Sequence, residues 1–382
     1  MRVKKDSYKV MAVFGTRPEA IKMAPVVRAM KKQDCIECLV VVTAQHREML
    51  DQVLNLFKII PDFDLDLMTH GQSLSGLTSK ILEGMDQILS ESKPDLILVQ
   101  GDTTTAFAAA LAAYYHKIPI GHVEAGLRTG EKYFPWPEEI NRKLAGCLAD
   151  FHFAPTKVSR DNLLREGIRA DKIFITGNTV IDALKSTVRD NYEFKDEKLK
   201  DILHINKEKR LIMMTTHRRE NLGEPMTQIY EALKTILQEF PDTYVIFPVH
   251  KNPTVREVVD KVLGNHPRVY LIEPMDYEAF INLMSKTYLI LSDSGGIQEE
   301  APSLGKPVLV VRDTTERPEA VDAGTVDVVG TSYEKVLHGI KILMSDSIIY
   351  NKMSQAANPY GDGFASQRIA EIVVENLHNC SN

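Results

Sequence analysis

Several stretches of this chain combine acids, cations and small residues at spacings that could bind a phosphorylated ligand and move protons. The first is Gly15-Thr16-Arg17-Pro18-Glu19-Ala20-Ile21-Lys22. Thr16 and Glu19 have capping-box spacing and Pro18 suits a first helical turn, so a helix starts here with free backbone N–H groups. Glu19 reads as a cap. Arg17 and Lys22 add positive charge that fits a diphosphate or sugar hydroxyls better than a bare helix cap requires. In Gln100-Gly101-Asp102-Thr103-Thr104-Thr105, Asp102 ends a buried-looking strand, either as an N-cap or as an acid–base group. In His122-Val123-Glu124-Ala125-Gly126-Leu127-Arg128-Thr129-Gly130, Glu124 again stands at a strand's carboxyl end, where a buried, unpaired carboxylate would be costly without purpose. Pro135-Trp136-Pro137-Glu138-Glu139-Ile140-Asn141-Arg142 starts a helix. Its acids, Glu138 among them, could do proton chemistry or simply complement the helix dipole.

The second half carries cations and glycines. His217, within Thr215-Thr216-His217-Arg218-Arg219-Glu220-Asn221, sits beside two guanidinium groups and reads as a phosphate contact or a proton donor. His250-Lys251-Asn252-Pro253 is a weaker basic turn, assigned to capping and solvation. Ser292-Asp293-Ser294-Gly295-Gly296-Ile297-Gln298-Glu299-Glu300 passes from strand through glycines into helix, so Ser294, Gly295 and Gly296 let backbone N–H groups approach phosphate oxygens. Glu300 could accept from ribose hydroxyls or be a solvated helix acid. Arg317 stands at a helix start, where a cation opposes the dipole and an anionic ligand would rationalise it. Neither a Walker A sequence nor G-x-G-x-x-G is present, so neither ATP hydrolysis nor NAD binding is supported. The sum is acid–base chemistry on a phosphorylated or nucleotidyl substrate.

Elements that would position these loops recur along all 382 residues. Short β-branched runs alternate with helical segments: Val10–Phe14, Leu39–Thr43, Leu96–Gln100, Ile118–Val123, Phe151–Ala154 and Ile173–Thr176, then Leu211–Thr215, Tyr244–Pro248, Val269–Ile272, Leu289–Ser292, Pro307–Val311 and Val326–Val329. The length exceeds what one core supports. The expected fold is α/β, with two facing Rossmann-like, doubly wound parallel-sheet domains and an active-site cleft between them. Residues 1–185 form the first domain and 186–363 the second, with a terminal amphipathic helix in 364–382 packing back on the first. The charged stretch Ser186–Arg210 reads as their connection, or as a surface helix.

Composition excludes other classes. A net charge of −6, with 44% hydrophobic and 26% charged residues, argues against a nucleic-acid-coating surface and against disorder. No run of 18 apolar residues and no signal-peptide pattern is visible, so a cytoplasmic protein without a membrane span is expected. Cys35-x-x-Cys38 lacks a second ligand pair, so no metal is assigned and both thiols are expected to be buried in a strand.

Taken in order, Gly15 to Lys22, Gly101 to Thr105, His122 to Gly130, Pro135 to Arg142, His217 to Asn221 and Ser294 to Arg317 resemble the non-hydrolysing UDP-N-acetylglucosamine 2-epimerases. The resemblance runs through nearly the whole chain. It implies a glycosyltransferase-B type fold, a homodimer, and cofactor-free interconversion of UDP-N-acetylglucosamine (UDP-GlcNAc) and UDP-N-acetylmannosamine (UDP-ManNAc). C2 has no neighbouring carbonyl, so the implied route eliminates UDP to 2-acetamidoglucal and adds it back. By this similarity Asp102, Glu124 and Glu138 are the acid–base groups, and His217, with Arg17 and Lys22, neutralises the departing diphosphate. Ser294, Gly295 and Gly296 would hold the diphosphate, Glu300 the ribose, Phe280 and the backbone of Met275 the uracil, and Arg317 further oxygens. Without the resemblance Phe280 would read as helix core. Bacterial members also bind a second UDP-GlcNAc as activator, and Gln45-His46-Arg47-Glu48-Met49 resembles that contact region. The product would supply ManNAc units for a cell-surface polysaccharide. A glycosyltransferase of the same fold, a hydrolysing epimerase and a non-catalytic sugar-nucleotide sensor are the rival readings.

Overall fold

Runs of Val, Ile and Leu too short for helices, the central ones buried on both faces, build two wholly parallel sheets. The computed structural model describes residues 7–43, 47–67 and 71–379. The first sheet comprises β1 (Tyr8–Phe14), β2 (Ile36–Val42), β3 (Phe63–Asp64), β4 (Leu96–Gln100), β5 (Ile120–Val123), β6 (Phe151–Ala154) and β7 (Ile173–Ile175), in the order 3-2-1-4-5-6-7. The second comprises β8 (Arg210–Thr215), β9 (Thr243–Pro248), β10 (Val269–Ile272), β11 (Leu289–Ser292), β12 (Val308–Val310) and β13 (Val326–Val328), in the order 10-9-8-11-12-13. Both share the doubly wound Rossmann arrangement. Chain direction of winding reverses between β1 and β4 in one and between β8 and β11 in the other, and ligands of such sheets bind at that switch point. The edge strand β3 has only two residues, too few for any period in the sequence to announce it.

The chain divides into two compact units, residues 1–185 with 360–382, and residues 186–359. Return to the first unit thus begins at Tyr360 rather than at 364. The Tyr360 side chain is fully buried and its carbonyl accepts from Asn178 N at 2.7 Å, which anchors the chain ahead of the breaker Gly361-Asp362-Gly363. The terminal helix Ala365–Asn379 then buries Ile369, Ala370, Val373 and Leu377 and packs on the helix Arg17–Met30. Its start is held by Asp182, which accepts from Ala365 N at 3.2 Å and Ser366 N at 2.8 Å. Ser186–Arg210 belongs to the second unit and contains the helix Glu197–Ile205.

Each unit has its own core. In the first, Met11, Val13, Val41, Ile97 and Val99 pack against Ile81, Met85 and the alanines of the helix Thr104–Tyr115, whose small side chains let it lie close to the sheet. In the second, Ile212, Met214, Phe247, Leu291 and Leu309 pack against Leu233, Ile236 and Ile340. Each such burial stabilises by about 1.5–3 kcal/mol. No helix among the described residues is long and apolar enough to cross a membrane. Cys38 is buried in β2, where desolvation pushes its thiol up to about 12, whereas Cys35 lies in the turn before the strand and is only half-buried.

Candidate functional site

In the first unit the loops after β1, β4 and β5 are tied together by side chains. Thr16 and Glu19 form the capping box of the helix Arg17–Met30. Glu19 is buried, accepts from Gly15 N at 3.1 Å and Thr16 N at 2.7 Å, and receives Thr103 Oγ1 at 2.6 Å. Desolvation raises its pKa against those hydrogen bonds. Glu19 therefore clamps the β1 loop to the β4 loop.

Glu124 follows β5 in the left-handed region, at φ 63°, an uncommon setting for a residue with a side chain. Its buried carboxylate is not unpaired, as the sequence alone left open. Lys22 Nζ donates to Oε1 at 2.5 Å and to Oε2 at 2.7 Å, Asn178 Nδ2 donates to Oε1 at 3.1 Å, and Gln100 Nε2 also donates. Three donors, from a helix, a strand end and a loop, thus converge on one carboxylate. Gly126 lets the chain turn directly after it, since a Cβ at φ 90° there would stand 2.2 Å from the Ser159 carbonyl oxygen.

Asp102 is not the N-cap of the helix Thr104–Tyr115. Thr103 takes that place, accepting from Ala106 N at 3.0 Å, and this frees Asp102 to pair with Arg142. Arg142 also reaches Glu139 Oε2 at 3.3 Å, and Glu139, fully buried, accepts from Thr129 N at 3.1 Å and Gly130 N at 3.2 Å. Of the two first-turn acids of the helix Glu138–Leu148, Glu139 is thus the structural one. Glu138 is half-buried, and its side chain makes no hydrogen bond or ion pair among the described residues. Arg17, half-buried at its helix start, likewise has no such partner among them.

In the second unit the switch-point loops after β8 and β11 meet through Asp293. This fully buried aspartate accepts through Oδ2 from His217 N and Arg218 N, both at 2.8 Å, and from Asn221 Nδ2 at 3.2 Å. His217 stacks on His250 with ring centroids 5.6 Å apart. Burial lowers the His217 pKa, helped by Arg218 and His250 and opposed by Asp293 and Glu220. The helix Gly295–Glu300 begins at Ser294, whose own side chain does not cap it.

Arg317 is where the sequence places it, at the N-cap of the helix Pro318–Asp322, but its charge has a protein partner. Nε lies 2.5 Å from Oε1 of buried Glu299, so no anionic ligand is required to explain the cation there. Glu300 is buried rather than solvated and accepts from Tyr277 Oη at 3.1 Å. Tyr277 opens the helix Tyr277–Ser285, whose N-cap is Asp276, one residue after half-buried Met275. Phe280 on this helix is only half-buried, while Tyr277, Ile281, Leu283 and Met284 supply its buried side, so Phe280 is not core. Glu300, Met275 and Phe280 are thereby connected through one helix. Gln45 and His46 lie outside the described residues.

Sequence reasoning passed over Gln100, Asn178, Arg142 and Asp293. Asp293 had a signal, since it follows a buried strand as Asp102 does. The other three act across long sequence separations.

Two doubly wound units with these switch-point loops define a Rossmann-like α/β protein of the glycosyltransferase-B type. More narrowly, the chain belongs to the UDP-N-acetylglucosamine 2-epimerase family, whose model matches residues 28–374. It is 57% identical over 363 residues to the UDP-N-acetylglucosamine 2-epimerase of Bacillus subtilis, covering 95% of this chain and 94% of that protein. Among solved structures it resembles S. aureus MnaA in complex with UDP, at a TM-score of 0.87 and 51% identity, covering 97% of each chain. It also resembles the UDP-GlcNAc 2-epimerase of Neisseria meningitidis bound to UDP-GlcNAc, at a TM-score of 0.86 and 50% identity, covering 96% of this chain and 100% of that one.

Proposed function

We propose that this protein is a non-hydrolysing epimerase that interconverts UDP-GlcNAc and UDP-ManNAc at C2 by eliminating UDP and adding it back. The observation that carries this reading is Glu124, a buried carboxylate at a strand end whose strained backbone is maintained and whose two oxygens are fixed by Lys22, Gln100 and Asn178. A group held so tightly is suited to proton transfer at a set point. Asp102 and Glu138 provide the further acid and base needed on two faces of the sugar. As the C1–O bond breaks, the bond electrons leave with the diphosphate while the C2 proton passes to a carboxylate and the C1–C2 double bond forms. Re-addition from 2-acetamidoglucal with protonation from the opposite face inverts C2.

His217, with Arg17 and Lys22, stabilises the charge gathering on the diphosphate. Ser294, Gly295 and Gly296 bind its oxygens, Glu300 the ribose, Phe280 and the Met275 backbone the uracil, and Arg317 with Glu299 borders that loop. The solved neighbours with UDP and UDP-GlcNAc support a uridine nucleotide-sugar as ligand. A homodimer, activation by a second UDP-GlcNAc through Gln45 and His46, cytoplasmic residence and supply of ManNAc for a surface polysaccharide complete the proposal. Proton NMR of a UDP-GlcNAc reaction tests it. UDP-ManNAc is expected, whereas free ManNAc with UDP would mark a hydrolase and an unchanged sugar nucleotide would refute the epimerase.

A further inference from the structure

The geometry points to Asp293 as the positioning residue that fixes the tautomer and ring orientation of His217, with Nδ1–H turned to Asp293 and Nε2 turned to the anionic part of the substrate, to which it donates once the ring has taken up its second proton. The inference rests on the role proposed above for His217, and deepens it.

Asp293 follows β11 directly and is fully buried. Its two oxygens do different things. Oδ2 is saturated by the backbone N–H groups of His217 and Arg218 and by the Asn221 amide. Oδ1 is buried, makes no hydrogen bond among the described residues, and lies 3.3 Å from His217 Nδ1. A buried acceptor left without a donor is costly, and the imidazole places a nitrogen that can carry hydrogen 3.3 Å in front of it. A small rotation of the ring closes Nδ1–H···Oδ1. Because a carboxylate only accepts, that contact selects the Nδ1–H tautomer and leaves Nε2 on the far side of the ring. The His217 side chain is 38% exposed, so this far side is open to a ligand.

The arrangement also keeps the imidazole able to carry charge. Burial, Arg218 and the stacked His250 all disfavour the imidazolium, and Asp293 and Glu220 are the acids that oppose them. Asp293 is the one fixed in place by three donors, while the Glu220 side chain is about half exposed and lies 3.0 Å from Arg312. Asp293 grips the same loop that carries the ring, so backbone and side chain of His217 are set by one carboxylate.

The test uses the full-length enzyme with His217 and its neighbours labelled with ¹⁵N in the imidazole. In the unaltered protein, NMR should find neutral His217 as the Nδ1–H tautomer, and a neutral Nε2–H tautomer would overturn the proposal without any variant. Asp293→Asn can still accept from the two backbone N–H groups but presents an amide to the ring. It should lower the His217 titration midpoint and reduce kcat by about 10²-fold or more, with KM for UDP-GlcNAc changed less than about threefold. An Asp293→Asn enzyme with unchanged kcat and titration would refute the positioning role. His217→Gln separates the two claims. If it turns over normally, the role of His217 itself fails, whereas an inactive His217→Gln beside a normal Asp293→Asn refutes only the part assigned to Asp293.

Discussion

Lys22 Nζ lies within 2.7 Å of both carboxylate oxygens of Glu124, joining the helix after β1 to the loop after β5. The pair is largely desolvated, with the two side chains 18% and 4% exposed. Removing the cation takes away the one positive charge seen paired with this buried carboxylate among the described residues. Lys22→Ala should therefore destabilise the protein by about 3 kcal/mol in urea unfolding, and adding Glu124→Gln should restore much of that loss. Wild-type stability in Lys22→Ala would mean that Gln100 and Asn178 suffice.

Asp102→Asn and Glu124→Gln should each lower turnover by about 10²–10⁴-fold while UDP binding, followed by calorimetry, stays within a few-fold of normal. Normal turnover in either variant removes that residue from the acid–base set.

Glu138 and Glu139 share one helical turn but should respond oppositely. Glu139 bonds Thr129 N, Gly130 N and Arg142, so Glu139→Ala should cost stability, by about 3 kcal/mol as for other broken buried pairs. Glu138→Gln should leave stability within about 0.5 kcal/mol and reduce kcat instead. Equal stability losses would make both acids structural.

Gly126→Ala places a methyl group 2.2 Å from the Ser159 carbonyl oxygen at a positive φ. Unfolding should become easier by at least about 1 kcal/mol, with further loss of turnover because Glu124 sits two residues earlier. A neutral effect in thermal unfolding would contradict the turn geometry.

Acid should destabilise the first unit through two histidines. Burial depresses His122 to about 3 and His152 to about 4, from an ordinary value of 6.5. The unfolded chain then binds more protons between those limits, so their contribution is full above pH 6.5 and declines as pH falls toward 4, at about 1.4 kcal/mol per pH unit for each histidine. His122 Nε2 donates to the Gly101 carbonyl at 2.7 Å. His122→Gln can keep that donor without the titration, and should roughly halve the slope in urea unfolding measured from pH 7 to 4.5. An unchanged slope would mean that other groups govern the acid limb.

The strands and the acids at their ends were legible because both signals are local. A β-branched run ending in Gln100-Gly101-Asp102 or His122-Val123-Glu124 announces strand, turn and carboxylate within a few residues. What those carboxylates touch was not legible. Arg142 reaches Asp102 because β4 and β5 are neighbours and its helix follows β5, and Asn178 reaches Glu124 from the loop after β7, across β6. Whether Asp102 or Thr103 caps the following helix turns on one residue of register, and the sequence permits either. Arg317 looked like a cation awaiting an anion because its partner, Glu299, reads equally well as a solvated helix acid beside Glu300. The half-exposure of Phe280 is a matter of helix rotation against its neighbours, which a nine-residue helix with few polar positions does not encode clearly.

Proton removal at C2 is the central chemical claim, and hydrogen exchange reads it directly. Incubating the enzyme with UDP-GlcNAc in deuterated water and following C2 by proton NMR should yield UDP-ManNAc carrying deuterium at C2, and over longer times deuterium in the remaining UDP-GlcNAc. UDP-ManNAc that retains the original C2 proton would contradict elimination and re-addition.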